Sequence, residues 1–157
     1  MQALTKWVTK WDRRFLRLAR EVSTWSKDPS TKCGCVIVRP DRTVASLGYN
    51  GFPRGIEDKE EWLNNREEKY KRVVHGEMNA ILNAREPLTG YTLYTYPGPL
   101  SCERCTVHII QAGIKRVVGA NENPSYTERW KDNTQTSLDL YKEAGVEVDI
   151  YDDDSCK

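Results

Sequence analysis

The stretch from residue 74 to residue 119 reads VHGEMNAILNAREPLTGYTLYTYPGPLSCERCTVHIIQAGIKRVVG. Within it, Val74–Ala84 and Cys102–Ala112 have the length and apolar spacing of helices. Thr92–Tyr96 and Lys115–Gly119 are short runs with the β-branched and aromatic residues typical of strands. Because a helix lies between these two strands, they can run parallel in one sheet, which requires such a crossover. The stretch therefore predicts an α/β fold.

The flanking sequence extends this pattern to an α-β-β-α-β-α-β-α-β order. The further predicted elements are an amphipathic helix over residues 6–25, a hairpin of strands Cys33–Val38 and Thr43–Tyr49, a short helix at Glu60–Asn65 within a charged surface segment, a helix at Thr136–Ala144 and a last strand at Val146–Ile150. This order predicts a three-layer α-β-α sandwich, with a mixed five-stranded sheet and helices on both faces.

Size and charge restrict the class of protein. The chain has 157 residues, with 24 Lys plus Arg and 23 Asp plus Glu. This length indicates a single domain over residues 1–157, in which the polar residues 151–157 are expected to form a flexible tail. A net charge of +1 provides no basic surface for long nucleic acid, although a small anion needs only a local cationic patch.

Apolar runs and cysteine usage indicate the compartment. No apolar run approaches the roughly 20 residues that a membrane span needs, and the first residues lack the apolar core of a signal peptide. The five cysteines are an odd number, which argues against a disulfide framework. We therefore expect a cytoplasmic protein, in the host cytoplasm if it is virus-encoded, without a membrane partner.

Two short motifs carry the chemistry, His75-Gly76-Glu77 and the Cys102/Cys105 pair. One His and two Cys are soft ligands for Zn²⁺ and leave a fourth tetrahedral position open for water. Glu77 is not needed as a ligand, so it is free to act as general acid and base beside the metal. The pattern H-x-E followed by C-x-x-C is typical of zinc nucleobase deaminases.

A purely structural zinc site is the alternative, and it usually has four protein ligands. The composition offers Cys33, Cys35, His108 or an aspartate as the fourth. Cys33 and Cys35 lead into an apolar run, so we expect them to be small buried residues at the start of a strand. A structural site also gives no reason for Glu77 at its position.

Several segments are similar to one known family. They are Ser26-Lys27-Asp28-Pro29, the strand CVIV, Gly48-Tyr49-Asn50-Gly51-Phe52-Pro53-Arg54-Gly55, the segment from His75 to Ile81, the Cys pair and Ile109–Lys115. Over roughly residues 10–150 the chain resembles the deoxycytidylate (dCMP) deaminases, within the cytidine deaminase-like zinc superfamily. The resemblance implies hydrolytic deamination of dCMP to dUMP and ammonia, which supplies dUMP for thymidylate synthesis.

Two positions depart from the family pattern. Gly76 stands where the family usually has Ala, and Pro is missing directly before Cys102. Because Ser is a good N-cap residue, Ser101 is expected to cap the helix that begins there. Neither departure removes a ligand or the acid/base.

The resemblance also implies substrate contacts. Asn50 is expected to contact the sugar or base, because its carboxamide offers both a donor and an acceptor. Asn50-Gly51 is also a composition that simple turns favour. The candidates for the 5′-phosphate are Ser26 and Lys27 after the first helix, together with Tyr126.

Enzymes similar to this chain are typically homohexamers that dCTP activates and dTTP inhibits, with a divalent cation such as Mg²⁺ on the triphosphate. The effector site in such enzymes involves the glycine-rich loop. Asn50, Gly51, Arg54 and Gly55 are the corresponding candidates here.

Other functions remain open at this point. The same chemistry could act on free cytidine or on adenosine in tRNA, although a tRNA enzyme should carry a broad basic face. An editor of single-stranded DNA should likewise have a marked positive excess. A third alternative is a noncatalytic, zinc-stabilised binding module.

Overall fold

The computed structural model describes residues 8–121 and 124–152. In these ranges the helices are α1 Lys10–Ser23, α2 Glu60–Leu63, α3 Arg66–Arg72, α4 Gly76–Asn83, α5 Glu103–Gln111, α6 Pro124–Arg129 and α7 Lys131–Ala144. The strands are β1 Gly34–Val38, β2 Val44–Tyr49, β3 Thr92–Tyr96, β4 Arg116–Asn121 and β5 Glu147–Asp152. Across the described residues, every helix is too short or too polar to cross a lipid bilayer.

The described strands form a five-stranded sheet in the order β2-β1-β3-β4-β5. β1 pairs antiparallel with both β2 and β3, whereas β3, β4 and β5 run parallel to one another. The hairpin supplies the antiparallel half, and the helical crossovers α5 and α7 supply the parallel half. The prediction of a mixed sheet is confirmed.

Helices cover both faces of this sheet, and β1 shows this most clearly because all five of its residues are buried. Val36 and Val38 face α1 and belong to one apolar cluster. Cys35 and Ile37 face the other side, where they join residues of α4, α5 and α7. Strands buried on both faces lose the polar alternation of a surface strand, and the three-layer arrangement follows.

Two glycines allow the layers to approach closely. A Cβ at Gly34 would lie 2.1 Å from the carbonyl oxygen of Ala19 in α1, on one face of the sheet. A Cβ at Gly48 would lie 2.3 Å from the backbone nitrogen of Ala80 in α4, on the other face. Both contacts would be steric clashes, so these two positions require glycine for packing.

Two helical regions differ from the sequence prediction. They are the segment between β2 and α4 and the start of α7. The expected helix Glu60–Asn65 ends at Leu63, and a further helix, α3, follows it. Asn65 caps α3 by accepting a hydrogen bond from the Glu68 backbone N–H at 3.1 Å. Asn followed three residues later by Glu is a helix-start signal that was present in the sequence. The predicted helix Thr136–Ala144 also begins earlier, at Lys131.

The predicted tail is wrong for its first two residues, because β5 continues to Asp152. Tyr151 is 2% exposed and packs in the cluster beneath α1. The remaining residues of the expected tail, 153–157, lie outside the described residues. Hydrophobic burial of one aromatic ring and pairing with β4 therefore extend the strand beyond its apolar run.

A buried polar network ties α1 to the parallel half of the sheet. Asp12 is 2% exposed and accepts two hydrogen bonds from the guanidinium of Arg116, at 3.0 and 2.7 Å. The hydroxyls of Tyr94 and Tyr151 each donate to the same carboxylate at 2.6 Å. Arg116 in turn donates to Asp149 at 2.8 Å. The buried charges are therefore paired and hydrogen-bonded, as they must be away from water.

Burial alone would raise the pKa of the Asp12 carboxyl, but the hydrogen bonds from Arg116, Tyr151 and Tyr94 lower it from 3.8 to about 2. A carboxyl with a lowered pKa in the folded state stabilises the fold above its unfolded pKa. This stabilisation is lost as the pH falls through the folded pKa. A shift of this size corresponds to roughly 2 kcal/mol at neutral pH.

We predict that Asp12→Asn lowers the free energy of unfolding at pH 7 by about 3 kcal/mol, because it leaves Arg116 with an incomplete set of buried partners. Urea unfolding followed by circular dichroism would measure this. The difference between the variant and the unsubstituted protein should shrink as the pH falls from about 4 to about 2, where Asp12 gains its proton.

Asp58→Asn is the matched control. Asp58 pairs with Lys27 at 2.9 Å on the surface, where the two side chains are 37% and 69% exposed. Loss of an exposed pair should change the free energy of unfolding by less than about 1 kcal/mol. Equal losses in the two variants would show that the buried network does not stabilise the fold.

Candidate functional site

The principal cavity lies where β3 ends, β1 begins and β2 ends. It has a volume of about 250 Å³ and is lined by both sequence motifs, His75 with Glu77 and Cys102. Thr95 and Tyr96, at the carboxyl end of β3, form part of its wall. Crevices at the carboxyl ends of parallel strands are the usual ligand sites of α/β sheets.

The chain brings three metal-binding atoms together at this cavity. The ligand atoms of His75, Cys102 and Cys105 all lie within 4.8 Å of one another. His75 Nδ1 is 3.3 Å from the sulfur of Cys102 and 3.3 Å from that of Cys105. Donors on one tetrahedral Zn²⁺, with bonds of about 2.0–2.3 Å, lie roughly 3.5 Å apart. The three donors therefore fit zinc in both chemistry and spacing.

Two helix N-termini meet at these donors. His75 is the N-cap residue of α4, and Cys102 is the N-cap residue of α5. The helix dipoles place partial positive charge there, which favours thiolate over thiol. A hydrogen bond from Cys105 lowers the pKa of Cys102 from 9.0 to about 4. A hydrogen bond from His75 lowers this pKa further, and burial opposes part of the shift. The site is thus prepared to supply a thiolate ligand.

The residues suggested as a fourth protein ligand lie elsewhere. Within the described chain, Cys33, Cys35 and His108 are all outside the cluster of donors. Burial raises the pKa of Cys33 and of Cys35, so both remain thiols. His108 Nδ1 is 2.7 Å from the carbonyl oxygen of Arg104 on its own helix. Three protein ligands with one open position are typical of a catalytic zinc site.

Cys33 and Cys35 have different environments. Cys35 is fully buried in β1, within the cluster beneath α4 and α5, as expected for a small apolar residue. Cys33 precedes the strand and lines the cavity. The expectation that both are buried strand residues therefore holds for Cys35 alone.

Glu77 lies in the first turn of α4 and is buried, 7% exposed, at the cavity wall. Its Oε1 accepts a hydrogen bond of 2.7 Å from the hydroxyl of Thr95 in β3. A carboxylate beside a metal-bound water can take up a proton and return it. Thr95 has a recognisable sequence signal, since strand alternation places it on the same face as the core residue Leu93.

The segment between β3 and α5 packs tightly instead of looping into solvent. A Cβ at Gly98 would lie 2.3 Å from the ring of Tyr126, so this aromatic ring rests directly on the glycine. Ser101 is 3% exposed, and its hydroxyl is 3.0 Å from those of Thr106 and Tyr141. The prediction that Ser101 caps α5 is therefore wrong. Cys102 occupies the N-cap position without a side-chain cap, because the Ser101 hydroxyl joins a buried polar cluster.

Asn50 lines the cavity but is 6% exposed and strongly hydrogen-bonded. Its Oδ1 accepts from the Cys33 backbone N–H at 2.8 Å. Its Nδ2 donates to the carbonyl oxygen of Thr31 at 2.9 Å and lies 3.4 Å from an Asp28 carboxylate oxygen. The carboxamide thus holds the segment before β1 against the end of β2, which fixes the shape of this wall.

The candidates for the phosphate occupy different places. Tyr126 lines the cavity, and burial raises its pKa. Ser26 is 3% exposed, and its hydroxyl donates a hydrogen bond to the Asn50 carbonyl oxygen at 2.9 Å. It therefore stabilises a residue of the cavity wall without lining the cavity itself. Lys27 lines a second cavity of about 140 Å³, where it pairs with Asp58. Neither Ser26 nor Lys27 lines the principal cavity.

The effector candidates are divided between this second cavity and the exposed surface. Asn50 and Gly51 line it, and Gly51 forms an isolated β-bridge with Val74 just before the His motif. Arg54 is exposed and donates to Asn83 in α4 at 3.2 Å. Gly55 is exposed with φ +86°, a conformation that favours glycine.

Residues that the sequence prediction missed also line the principal cavity. They include Arg66 and Lys69 of α3, together with Arg129 and Trp130 at the end of α6. The positive charge of Lys69 is paired with the carboxylate of Asp28 at 3.1 Å. Arg66 donates to the Tyr70 hydroxyl, and Arg129 lies over the Tyr126 and Trp130 rings. In the described ranges, neither arginine has a carboxylate partner within salt-bridge distance.

We predict that Gly76→Ala is tolerated. A Cβ there would lie 3.4 Å from the Gly48 carbonyl oxygen, an ordinary van der Waals contact. Alanine in the first turn of α4 should raise the free energy of unfolding by roughly 0.5 kcal/mol. Thermal unfolding of the zinc-loaded protein and its zinc content would be measured.

Gly48→Ala is the matched control, because its Cβ would clash with the backbone of α4. It should lower the free energy of unfolding by roughly 1–3 kcal/mol. A Gly76→Ala variant that loses zinc, or is destabilised as much as Gly48→Ala, would contradict this account of the packing.

Comparison with known proteins agrees with this geometry. The family described as "Cytidine and deoxycytidylate deaminase zinc-binding region" matches residues 9–121. An "uncharacterized deaminase in luxG 3′ region" of Aliivibrio fischeri is 40% identical over 141 residues, covering 90% of this chain and 93% of that protein. The deoxycytidylate deaminase of Mus musculus is 33% identical over 145 residues, covering 87% and 77%.

A solved structure shows the same fold. The dCMP deaminase of the cyanophage S-TIM5, crystallised with dCMP and dUMP, superimposes with a TM-score of 0.66 at 24% identity. The match covers 92% of this chain and 99% of the phage chain. The resemblance predicted from the motifs is confirmed: the chain belongs to the cytidine and deoxycytidylate deaminases, a family of hydrolytic enzymes with a zinc-binding region.

Proposed function

We propose that this protein is a zinc-dependent dCMP deaminase that converts dCMP and water to dUMP and ammonia. The observation that carries the proposal is the buried Glu77 carboxylate in one cavity with His75 and Cys102, which form a cluster of three metal-binding donors with Cys105. The substrate is supported by the names of the relatives, which include a deoxycytidylate deaminase 33% identical to this chain. A product of this kind supplies thymidylate synthesis.

His75 Nδ1 and the sulfurs of Cys102 and Cys105 would hold the Zn²⁺. Bound there, the ion supplies a Lewis acid that lowers the pKa of a water towards about 7. Glu77 takes a proton from the attacking water and delivers it to ring N3 of the cytosine. The water oxygen bonds to C4, and Glu77 then assists transfer of the second proton of that water to the amine, which leaves as ammonia when the C4–N bond breaks. One carboxylate serves both as base and as acid, because the proton that it accepts is the proton that it returns.

Substrate binding follows from the walls of the cavity. Asn50 is the candidate for a contact to the sugar or base because it lines the cavity wall, where its hydrogen bonds to Cys33 and Thr31 keep it rigid. Tyr126 offers an aromatic face beside Gly98. Arg66 and Arg129 line the same cavity and provide cationic groups for the 5′-phosphate. Guanidinium groups suit phosphate because they donate two parallel hydrogen bonds.

Regulation is a further part of the proposal. dCTP as activator and dTTP as inhibitor, each with Mg²⁺, would bind at the loop that includes Asn50, Gly51, Arg54 and Gly55, in a cytoplasmic homohexamer. Exposure of Arg54 and Gly55 supports this, since the loop is accessible to a nucleotide or a neighbouring subunit. Asn50 lines both cavities, which gives an effector there a direct physical connection to the substrate site.

The test is ammonia release by the zinc-loaded protein from dCMP, CMP, deoxycytidine and dCTP in parallel. Each reaction is run with and without dCTP or dTTP as effector. Turnover confined largely to dCMP, and changed by the triphosphates, is expected. Turnover of deoxycytidine equal to that of dCMP would contradict the monophosphate assignment, and no ammonia from any substrate would overturn the proposed function.

We predict that Glu77→Gln keeps its zinc but loses at least about 100-fold in kcat, because the amide cannot accept and return a proton. Metal analysis and ammonia release would be measured on the same sample. An active variant with normal zinc content would exclude the acid/base role.

We predict that Arg129→Gln raises KM for dCMP by roughly 10- to 100-fold, the effect of losing one charge-assisted hydrogen bond. The much lower activity on deoxycytidine, which has no phosphate, should change little. Arg85→Gln is the matched control, since Arg85 is exposed and lies outside the cavity. Equal changes for the two substrates would show that Arg129 does not bind the phosphate.

A further inference from the structure

The hydroxyl of Thr95 donates a hydrogen bond of 2.7 Å to Oε1 of Glu77. Both residues are buried: Thr95 is 2% exposed and Glu77 is 7% exposed. Among the described residues, Thr95 is the one hydrogen-bond partner of this carboxylate. The position of the Glu77 carboxylate therefore depends on a single donor from another element of the fold.

Thr95 is well suited to hold a group in place. It lies in β3, between β1 and β4, and pairs with Cys35 on one side and Gly119 on the other. A residue in the middle of a sheet has little backbone freedom. Its β-branched side chain is also stiff about χ1. The direction of the hydroxyl is consequently fixed by the sheet, independently of α4, which carries Glu77.

The two carboxylate oxygens of Glu77 therefore have different hydrogen-bonding environments. Oε1 is engaged by Thr95, whereas no described residue donates a hydrogen bond to Oε2. Glu77 lines the cavity, so Oε2 is the oxygen available to a water or to a bound base. The Thr95 hydroxyl can donate to Oε1 both when Glu77 is ionised and when Oε2 carries a proton.

We propose that Thr95 is a positioning residue for the deamination. It fixes the Glu77 carboxylate so that Oε2 alone exchanges protons with the reactants. The inference rests on the proposed function. The water O–H bond breaks as an O–H bond forms on Oε2, and this proton then passes to ring N3. The second water proton leaves with the amine as ammonia, and the water oxygen becomes the C4 carbonyl oxygen.

The decisive comparison is between Thr95→Val and Thr95→Ser. Valine keeps the shape and removes the hydroxyl, so kcat should fall by roughly 10- to 100-fold, the effect of a misplaced catalytic group. KM and zinc content should change much less. Serine restores the donor, so it should recover most of kcat. A Val variant with unchanged kcat, or a Ser variant as impaired as Val, would overturn the positioning role.

Thr92→Val is the matched control, because Thr92 lies in the same strand and outside the cavity. Thr92→Val should leave kcat unchanged. A loss of kcat equal to that of Thr95→Val would mean that any such change in β3 impairs the enzyme, and would overturn the specific role of Thr95. Crystal structures of zinc-loaded Thr95→Val should show the Glu77 carboxylate rotated from its position. An unmoved carboxylate would overturn the proposal.

The two hypotheses fail differently. If the unsubstituted protein releases no ammonia from any cytosine nucleotide, the proposed function fails, and the position of Glu77 in crystals of Thr95→Val still decides what Thr95 does. If the unsubstituted protein is active and Thr95→Val is equally active, the proposed function stands and the positioning role fails.

Discussion

The site depends on two helix N-termini that meet at the carboxyl end of β3. His75 is the residue directly before α4. Cys102 is the last residue of the packed segment between β3 and α5. Because each residue is an N-cap, its side chain projects beyond the helix end towards the other motif. The same convergence directs both helix dipoles at the three candidate metal donors. Displacement of either helix by a few ångströms would separate the three donors, and the close approach of α4 to β2 at Gly48 resists such a displacement.

The two faces of the sheet contribute differently to the protein: one supplies stability and the other carries the candidate site. On one face α1 is held by an apolar cluster and by the Asp12–Arg116 network, which reaches β3, β4 and β5. On the other face α4, α5 and α7 surround the metal ligands. The charges of this network therefore lie on the opposite face of the sheet from the candidate site, and through Tyr94 they brace the strand that carries Thr95. Stability and reactivity are supplied by opposite sides of β3.

Much of the chemistry could be predicted from residues close together in sequence. The ligands and Glu77 belong to two short motifs with fixed spacing, and spacing on a helix start is a local property. Strand β1 followed from its apolar run, since burial on both faces leaves a simple signal, and β3 followed from its β-branched and aromatic residues. Helix α3 and the early start of α7 were missed because their sequences are charged and lack helical periodicity. Residues 151–152 were assigned to a tail because their polarity hid the strand pairing.

By itself, the sequence determined the α/β class and identified the candidate zinc donors and the candidate acid/base residue, because each is encoded by local pattern or residue type. Tertiary structure alone decided which groups surround them. It placed Lys27 at a second cavity, made Ser101 a buried partner of Tyr141 instead of a helix cap, and brought Arg66 and Arg129 to the principal cavity. It also set Thr95 against Glu77, 18 positions away in the chain. Such contacts join separate elements, and only the packing of those elements fixes the distances between their side chains.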